Sequence, residues 1–299
     1  MNLDSEKKFA AGLSITSNAI IIITKIIAGM LSGSISIISE AIHSMSDFLA
    51  SVLTFFAVTR SAEPADKEHP FGHGKYEDMS GFIEGGLIIF AGCFIVFEST
   101  KKIILGYTLQ TESMLGIYVM ALAVVANFVV SRYLFYVAKK SDSVSLLADA
   151  EHLSTDIFSS LGVLVGLVLI KITGIAALDP IVAIVVAVII LKTGFMISKE
   201  TLNNLLDGSL PQEDIKKIET ILKNNKVIKG FKNIKGRKSG QYKDIELTLL
   251  FNPDMKISCA HNICDQIENE IKKELGNVST IIHAEPVSVA TNSKNNPET

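Results

Sequence analysis

Apolar stretches of about 20 residues recur through the first two thirds of the chain, separated by short clusters of charge. Stretches of that length read as membrane-crossing helices. Six can be placed, over 10–31, 35–58, 81–97, 114–137, 144–170 and 180–197. The tight connection Ser32-Gly33-Ser34 makes the first two an antiparallel hairpin, and the segment 59–80 is a long polar loop. After Lys199 the pattern changes. An amphipathic helix is predicted over 211–224, strands over 227–237 and 243–251, a second helix over 256–275 and a last strand over 278–287. In the second strand Ile245, Leu247, Leu249 and Phe251 alternate with polar positions, the period of a half-buried strand. The α-β-β-α-β order predicts a small open sheet with two helices on one face. The chain thus divides into a six-helix, all-α transmembrane domain (1–208), a C-terminal α+β domain (209–290) and a polar tail expected to be disordered (291–299).

Composition narrows the class. The chain has 299 residues, 48% hydrophobic and 20% charged, which alone would suit a soluble protein, but its charge is segregated. The net charge of −3 offers no basic surface for nucleic acid. Cys93, Cys259 and Cys264 form neither a CxxC pair nor a disulfide framework, and packing within an apolar interior is expected of each. The polar start and the length of the first apolar stretch predict a retained span and not a cleaved signal. Lys7 and Lys8, then Arg60, Lys67 and Lys75, then Lys139 and Lys140 outweigh Lys101, Lys102 and Lys171 on the opposite side. That bias predicts a multi-pass protein of the cell (plasma or inner) membrane, in contact with lipid, with both termini cytoplasmic.

Two polar segments interrupt the apolar pattern. The second span carries Glu40-Ala-Ile-His43-Ser-Met-Ser-Asp47, and the fifth carries Asp149-Ala-Glu-His152-Leu-Ser-Thr-Asp156. Each has a carboxylate, a His three residues on and an Asp four further. His and Asp four apart share one helix face, roughly 5–6 Å apart at Cβ. Two such faces turned together offer two imidazoles and two carboxylates, a tetrahedral N2O2 set that suits zinc. Calcium and magnesium favour all-oxygen ligation. A carboxylate near the bilayer centre costs on the order of 2.5–3.5 kcal/mol, so Asp47 and Asp156 call for a compensating dication or protons. Helix–helix glue ordinarily uses Ser, Thr or Asn. Glu40 and Asp149, one turn away, read as supporting or access groups. Lys25 and Glu84 are placed near cytoplasmic span ends where they can snorkel or pair, and Asn127 as helix glue. In the loop, Asp66, His69 and His73 lie within eight residues and can chelate zinc with one position left open.

At these motifs the chain resembles the cation diffusion facilitator family. The resemblance implies that His43, Asp47, His152 and Asp156 form the transport site, in the form of the zinc-transporting branch. It implies a homodimer that exchanges cytoplasmic Zn2+ for protons by alternating access, with the ion as substrate and no separate cofactor. It also implies that the C-terminal domain is ferredoxin-like, or metallochaperone-like, and cytoplasmic. Asp66, His69 and His73 match a loop metal site, and Lys75 and Asp207 a salt bridge at the dimer interface. His261, His283 and Glu285 match regulatory metal ligands, but Lys232 and Thr248 stand where two further histidines are expected. Proton exchange agrees with the residue chemistry, since metal needs neutral His and ionised Asp and its binding releases protons.

Other classes remain. The same fold could export mainly Fe2+, Co2+, Cd2+ or Mn2+. An intramembrane metalloenzyme also places His and carboxylates in spans, but the HExxH general base is missing. A channel conducts through weak multi-ion sites, unlike a closed His/Asp set. A metal sensor has no need of ligands at the midplane.

Overall fold

A computed structural model describes the backbone of residues 3–32, 35–105, 114–173 and 178–287. It describes their side chains except 32, 35–40, 42, 43, 46, 102, 105, 114–117, 120, 159, 160, 162–173, 178 and 179. Two compact units result, Met1–Leu205 and Leu206–Thr299.

The first unit contains α1 (Leu3–Ser32), α2 (Ile35–Ser61), α3 (Lys75–Leu105), α4 (Met114–Ser141), α5 (Val144–Thr173) and α6 (Leu178–Leu205). Among the described residues, α1, α3, α4 and α6 contain segments long and apolar enough to cross a membrane. Gly33 and Ser34 of the predicted turn lie outside the described residues. The loop after α2 is shorter than the sequence pattern implies, because α3 begins at Lys75. Glu77 and Asp78 open its first turn, where carboxylates favour the helix N-terminus, and both are buried against partners. α4 and α5 meet at a sharp corner. Asp142 takes φ +52°, the Ser143 N–H donates to Ala138 O at 3.1 Å, and the Ser143 hydroxyl accepts from the Leu146 N–H at 3.4 Å.

Small residues bring α3 and α6 together. A Cβ on Gly81 would lie 2.8 Å from Thr201 Cγ2, and one on Gly194 3.0 Å from Gly85 O, so only glycine permits this backbone approach. A second cluster joins Ala10 and Ala11 of α1, Leu134 and Val137 of α4, and Leu146 and Leu153 of α5. Large side chains such as Ile23, Ile27, Phe90, Phe94, Val185 and Val188 point outward. An exposed apolar surface of that extent is suited to lipid.

The second unit contains α7 (Gln212–Asn224), β1 (Gly230–Ser239), β2 (Tyr242–Phe251), α8 (Ile257–Leu275) and β3 (Val278–Pro286). The strand order is β1-β2-β3, with β1 antiparallel and β3 parallel to β2. Ile245, Leu247, Leu249 and Phe251 form the core with Ile218 and Leu222 of α7 and Ile267 and Ile271 of α8. β1 runs later than the hydrophobic pattern places it, and the register shifts between Lys232 and Lys235, where Asn233 takes φ +55°. Cys264 lies in the core as expected, whereas Cys259 is exposed, because α8 turns that position away from the sheet. Cys93 is also exposed on α3. The tail, residues 288–299, lies outside the described residues.

Candidate metal centre

α2 supplies Asp47 and α5 supplies His152 and Asp156. Ligand atoms of these three residues all lie within 4.8 Å of one another. His152 Nε2 is 3.2 Å from Asp47 Oδ1. Asp47 and His152 are only 7% and 6% exposed. His152 and Asp156 reach the same point because they are one helical turn apart; Asp47 reaches it because α2 packs against α5. The backbone of His43 lies in α2, one turn before Asp47, while its side chain and that of Glu40 lie outside the described residues. The three described donors are one imidazole nitrogen and two carboxylates, a set that binds a borderline divalent cation.

A polar seam continues from the cluster along the helices, and most of it escaped the sequence analysis. Asn18 Nδ2 donates to Asp47 O at 3.4 Å and to Ser51 Oγ at 2.8 Å. Ser51 also contacts Ser14 Oγ at 2.9 Å and donates to Asp149 Oδ1 at 3.2 Å. Thr54 and Ser80 both donate to Glu84 Oε1, the latter at 3.0 Å, and Ser145 donates to Ser80 at 3.2 Å. The signal available in the sequence was periodicity: Asp47, Ser51 and Thr54, and Ser145, Asp149 and His152, each fall on one helical stripe. Of the two alternatives open for Glu84 and Lys25, the structure excludes snorkelling: Glu84 is fully buried against hydroxyls, and Lys25 is buried with its ammonium 2.7 Å from Ser44 Oγ. Asn127 Oδ1 is buried without a hydrogen bond, so that oxygen glues nothing among the described residues.

Further along the same helices, Glu77 gathers the Lys7 ammonium and the hydroxyls of Ser61 and Ser143. Lys7 and Glu77 are both 0% exposed. This tie joins the start of α1, the end of α2, the start of α3 and the residue preceding α5.

The loop after α2 forms the second cluster. Ligand atoms of Asp66, His69 and His73 lie within 4.8 Å of one another. Asp66 Oδ1 accepts the backbone N–H groups of His69 at 2.6 Å and Glu68 at 2.9 Å, and Oδ2 lies 3.4 Å from His73 Nε2. Gly72, at φ +84°, turns the chain so that His73 comes back to Asp66. The His69 N–H, above all, holds the Asp66 carboxyl below the ordinary aspartate range. Its folded value therefore lies below the unfolded one, so its contribution to loop order is full above the unfolded value of about 3.9 and is lost as pH falls through the lower folded value. A carbon-13 titration of Asp66 is expected to give a midpoint below that of a model aspartate. A midpoint at or above it would contradict this turn.

The remaining predicted residues are placed as follows. Lys75 Nζ donates to Leu205 O at 3.2 Å, the last carbonyl of α6. In the second unit, Asp207 Oδ2 is 3.3 Å from Arg237 Nη1. His261, 72% exposed at its side chain, lies 3.5 Å from Asp265, and His283, 70% exposed, lies 3.5 Å from Glu285. Among the described residues the ligand-sharing groups within one chain are the two clusters above. At Glu285 the Lys232 ammonium sits 2.7 Å from Oε2 and is the main cause holding that carboxyl below its ordinary range.

Residues 12–206 match the family model described as the cation efflux transmembrane domain, and residues 210–287 match that of the cation efflux protein cytoplasmic domain. Similar proteins include the transporter sll1263 of Synechocystis sp., 31% identical over 88% of this chain and 85% of the relative. The cation-efflux pump FieF of Pectobacterium atrosepticum is 29% identical over 93% of this chain and 92% of its own. The magnetosome protein MamB of Magnetospira sp. is 28% identical over 88% and 90%.

Proposed function

The chain belongs to the cation diffusion facilitator family of multi-pass membrane transporters for metal cations, and from that premise we propose that it exports cytoplasmic Zn2+ in exchange for protons. The observation that carries the reading is the convergence of Asp47, His152 and Asp156 from two helices on one buried point. His43, one turn from Asp47, completes the N2O2 set. Six spans leave both termini in the cytoplasm, and two chains form a dimer in which Lys75 and Asp207 pair across the interface. Metal binding requires His152 to offer a lone pair and the two aspartates to be ionised, so loading of the ion and loading of protons exclude one another. Alternating access then moves the two cargoes in opposite directions. The loop cluster of Asp66, His69 and His73 binds a second ion that is not transported, and ties the loop to the bundle.

The test is uptake into proteoliposomes holding the full-length protein, offered Zn2+, Fe2+, Co2+, Cd2+ and Mn2+ with and without a pH gradient. Saturable zinc uptake that rises with the gradient is expected. Uptake undiminished without the gradient would overturn antiport, and preference for another ion would overturn the assignment to zinc.

A further inference from the structure

Glu77 and Glu84 lie two turns apart on α3, and both side chains are fully buried. Their surroundings differ. Both oxygens of Glu77 have partners, and the Lys7 ammonium matches its charge. Glu84 has hydroxyls only. Thr54 and Ser80 donate to Oε1, and Oε2 is buried with no hydrogen-bond partner. The titratable groups that face it are Asp149 and His152 of α5. α2 meets it with Thr54, while α6 comes against this part of α3 with Ser198 and Thr201, which carry no charge. Among the described residues no Lys or Arg forms an ion pair with Glu84. Asp149 repeats the theme, fully buried, with Ser51 on Oδ1 and no hydrogen bond to Oδ2.

A buried carboxylate needs a countercharge. Where no ammonium pairs with it and the oxygen is shielded by protein, the proton is the cation small enough to serve. We infer that Glu84 holds a proton while the Asp47–His152–Asp156 cluster is empty and releases it when a divalent cation binds there. Glu84 is then a second proton-carrying group of the exchange, separate from the metal ligands. This rests on the proton-coupled function proposed above. The step is a simple one: the carboxyl O–H bond breaks, the proton passes to water, and the carboxylate left behind is balanced by the incoming dication. The hydroxyls of Ser80 and Ser145, in sequence from Glu84, give the proton a route towards the first turn of α5.

The test is a zinc titration of the full-length protein in detergent over a pH series, in a background with His69 and His73 replaced by Ala so that one site is read. The slope of log affinity against pH counts the protons released, each contributing about tenfold per pH unit. Glu84→Gln keeps an oxygen for Thr54 and Ser80 but has no proton to give. It is expected to bind zinc with a slope lower by about one proton. A purely structural Glu84 predicts an unchanged slope, and that result overturns the inference while leaving antiport standing. A flat slope in the parent protein overturns both. A second measurement covers a variant that fails to fold. The infrared spectrum of the parent protein should lose a protonated-carboxyl C=O band when zinc is added, and no such loss overturns the inference.

Discussion

Asp156→Ala is expected to lower metal transport by at least about 100-fold, because removing even a group that supports a ligand costs about 10–100-fold and Asp156 is proposed as a ligand itself. Its carboxylate shares one point with His152 and Asp47. Without it, His152 and Asp47 remain as a hydrogen-bonded pair at 3.2 Å, and with His43 they leave the proposed coordination shell one donor short. The fold should persist, since Asp156 is a polar side chain outside the apolar core clusters of α1, α4 and α5. Flux into proteoliposomes, with size-exclusion and circular dichroism on the same preparation, separates the two effects. Asp156→Ala transporting at the parent rate would remove the cluster from the mechanism, and a collapsed fold would move the residue from transport to structure.

The second large effect is expected at Lys7. Lys7→Ala leaves Glu77 charged and buried with two hydroxyls in place of an ammonium. Breaking a buried pair from one side destabilises by about 3–5 kcal/mol, whereas replacing both partners by neutral groups of similar shape is often neutral or better. The double change Lys7→Met with Glu77→Gln should therefore recover most of the loss. The comparison separates the uncompensated charge from the packing of the lysine stem. Thermal denaturation in detergent measures both variants. A single variant as stable as the parent would show that the tie between α1, α2, α3 and the start of α5 contributes little.

These two residues differ in how far the sequence revealed them. The clustering of Asp156 with His152 was legible because one-turn spacing on a helix is a local property that four residues express. The same holds for Asp66, His69 and His73, and for the alternation in β2 that buries Ile245, Leu247, Leu249 and Phe251. Lys7 and Glu77 were legible only as charges near the ends of apolar stretches, because their contact joins helices 70 residues apart. At Glu84 the sequence leaves snorkelling and pairing both open for the same reason. A glutamate near a span end can snorkel, and what prevents it here is the packing of Thr54, Ser80 and the C-terminal part of α6 around it.

By itself, then, the sequence determined the alternation of apolar and polar segments, the repeated His/Asp stripe, and the two-helix, three-strand pattern of the C-terminal unit. All of these follow from bonds and spacings within a few residues. Only the tertiary structure decided which buried acids meet a cation and which meet hydroxyls alone. That choice depends on which helix faces which, and on the few ångströms over which a charge finds a partner before the apolar interior leaves it exposed to its own field.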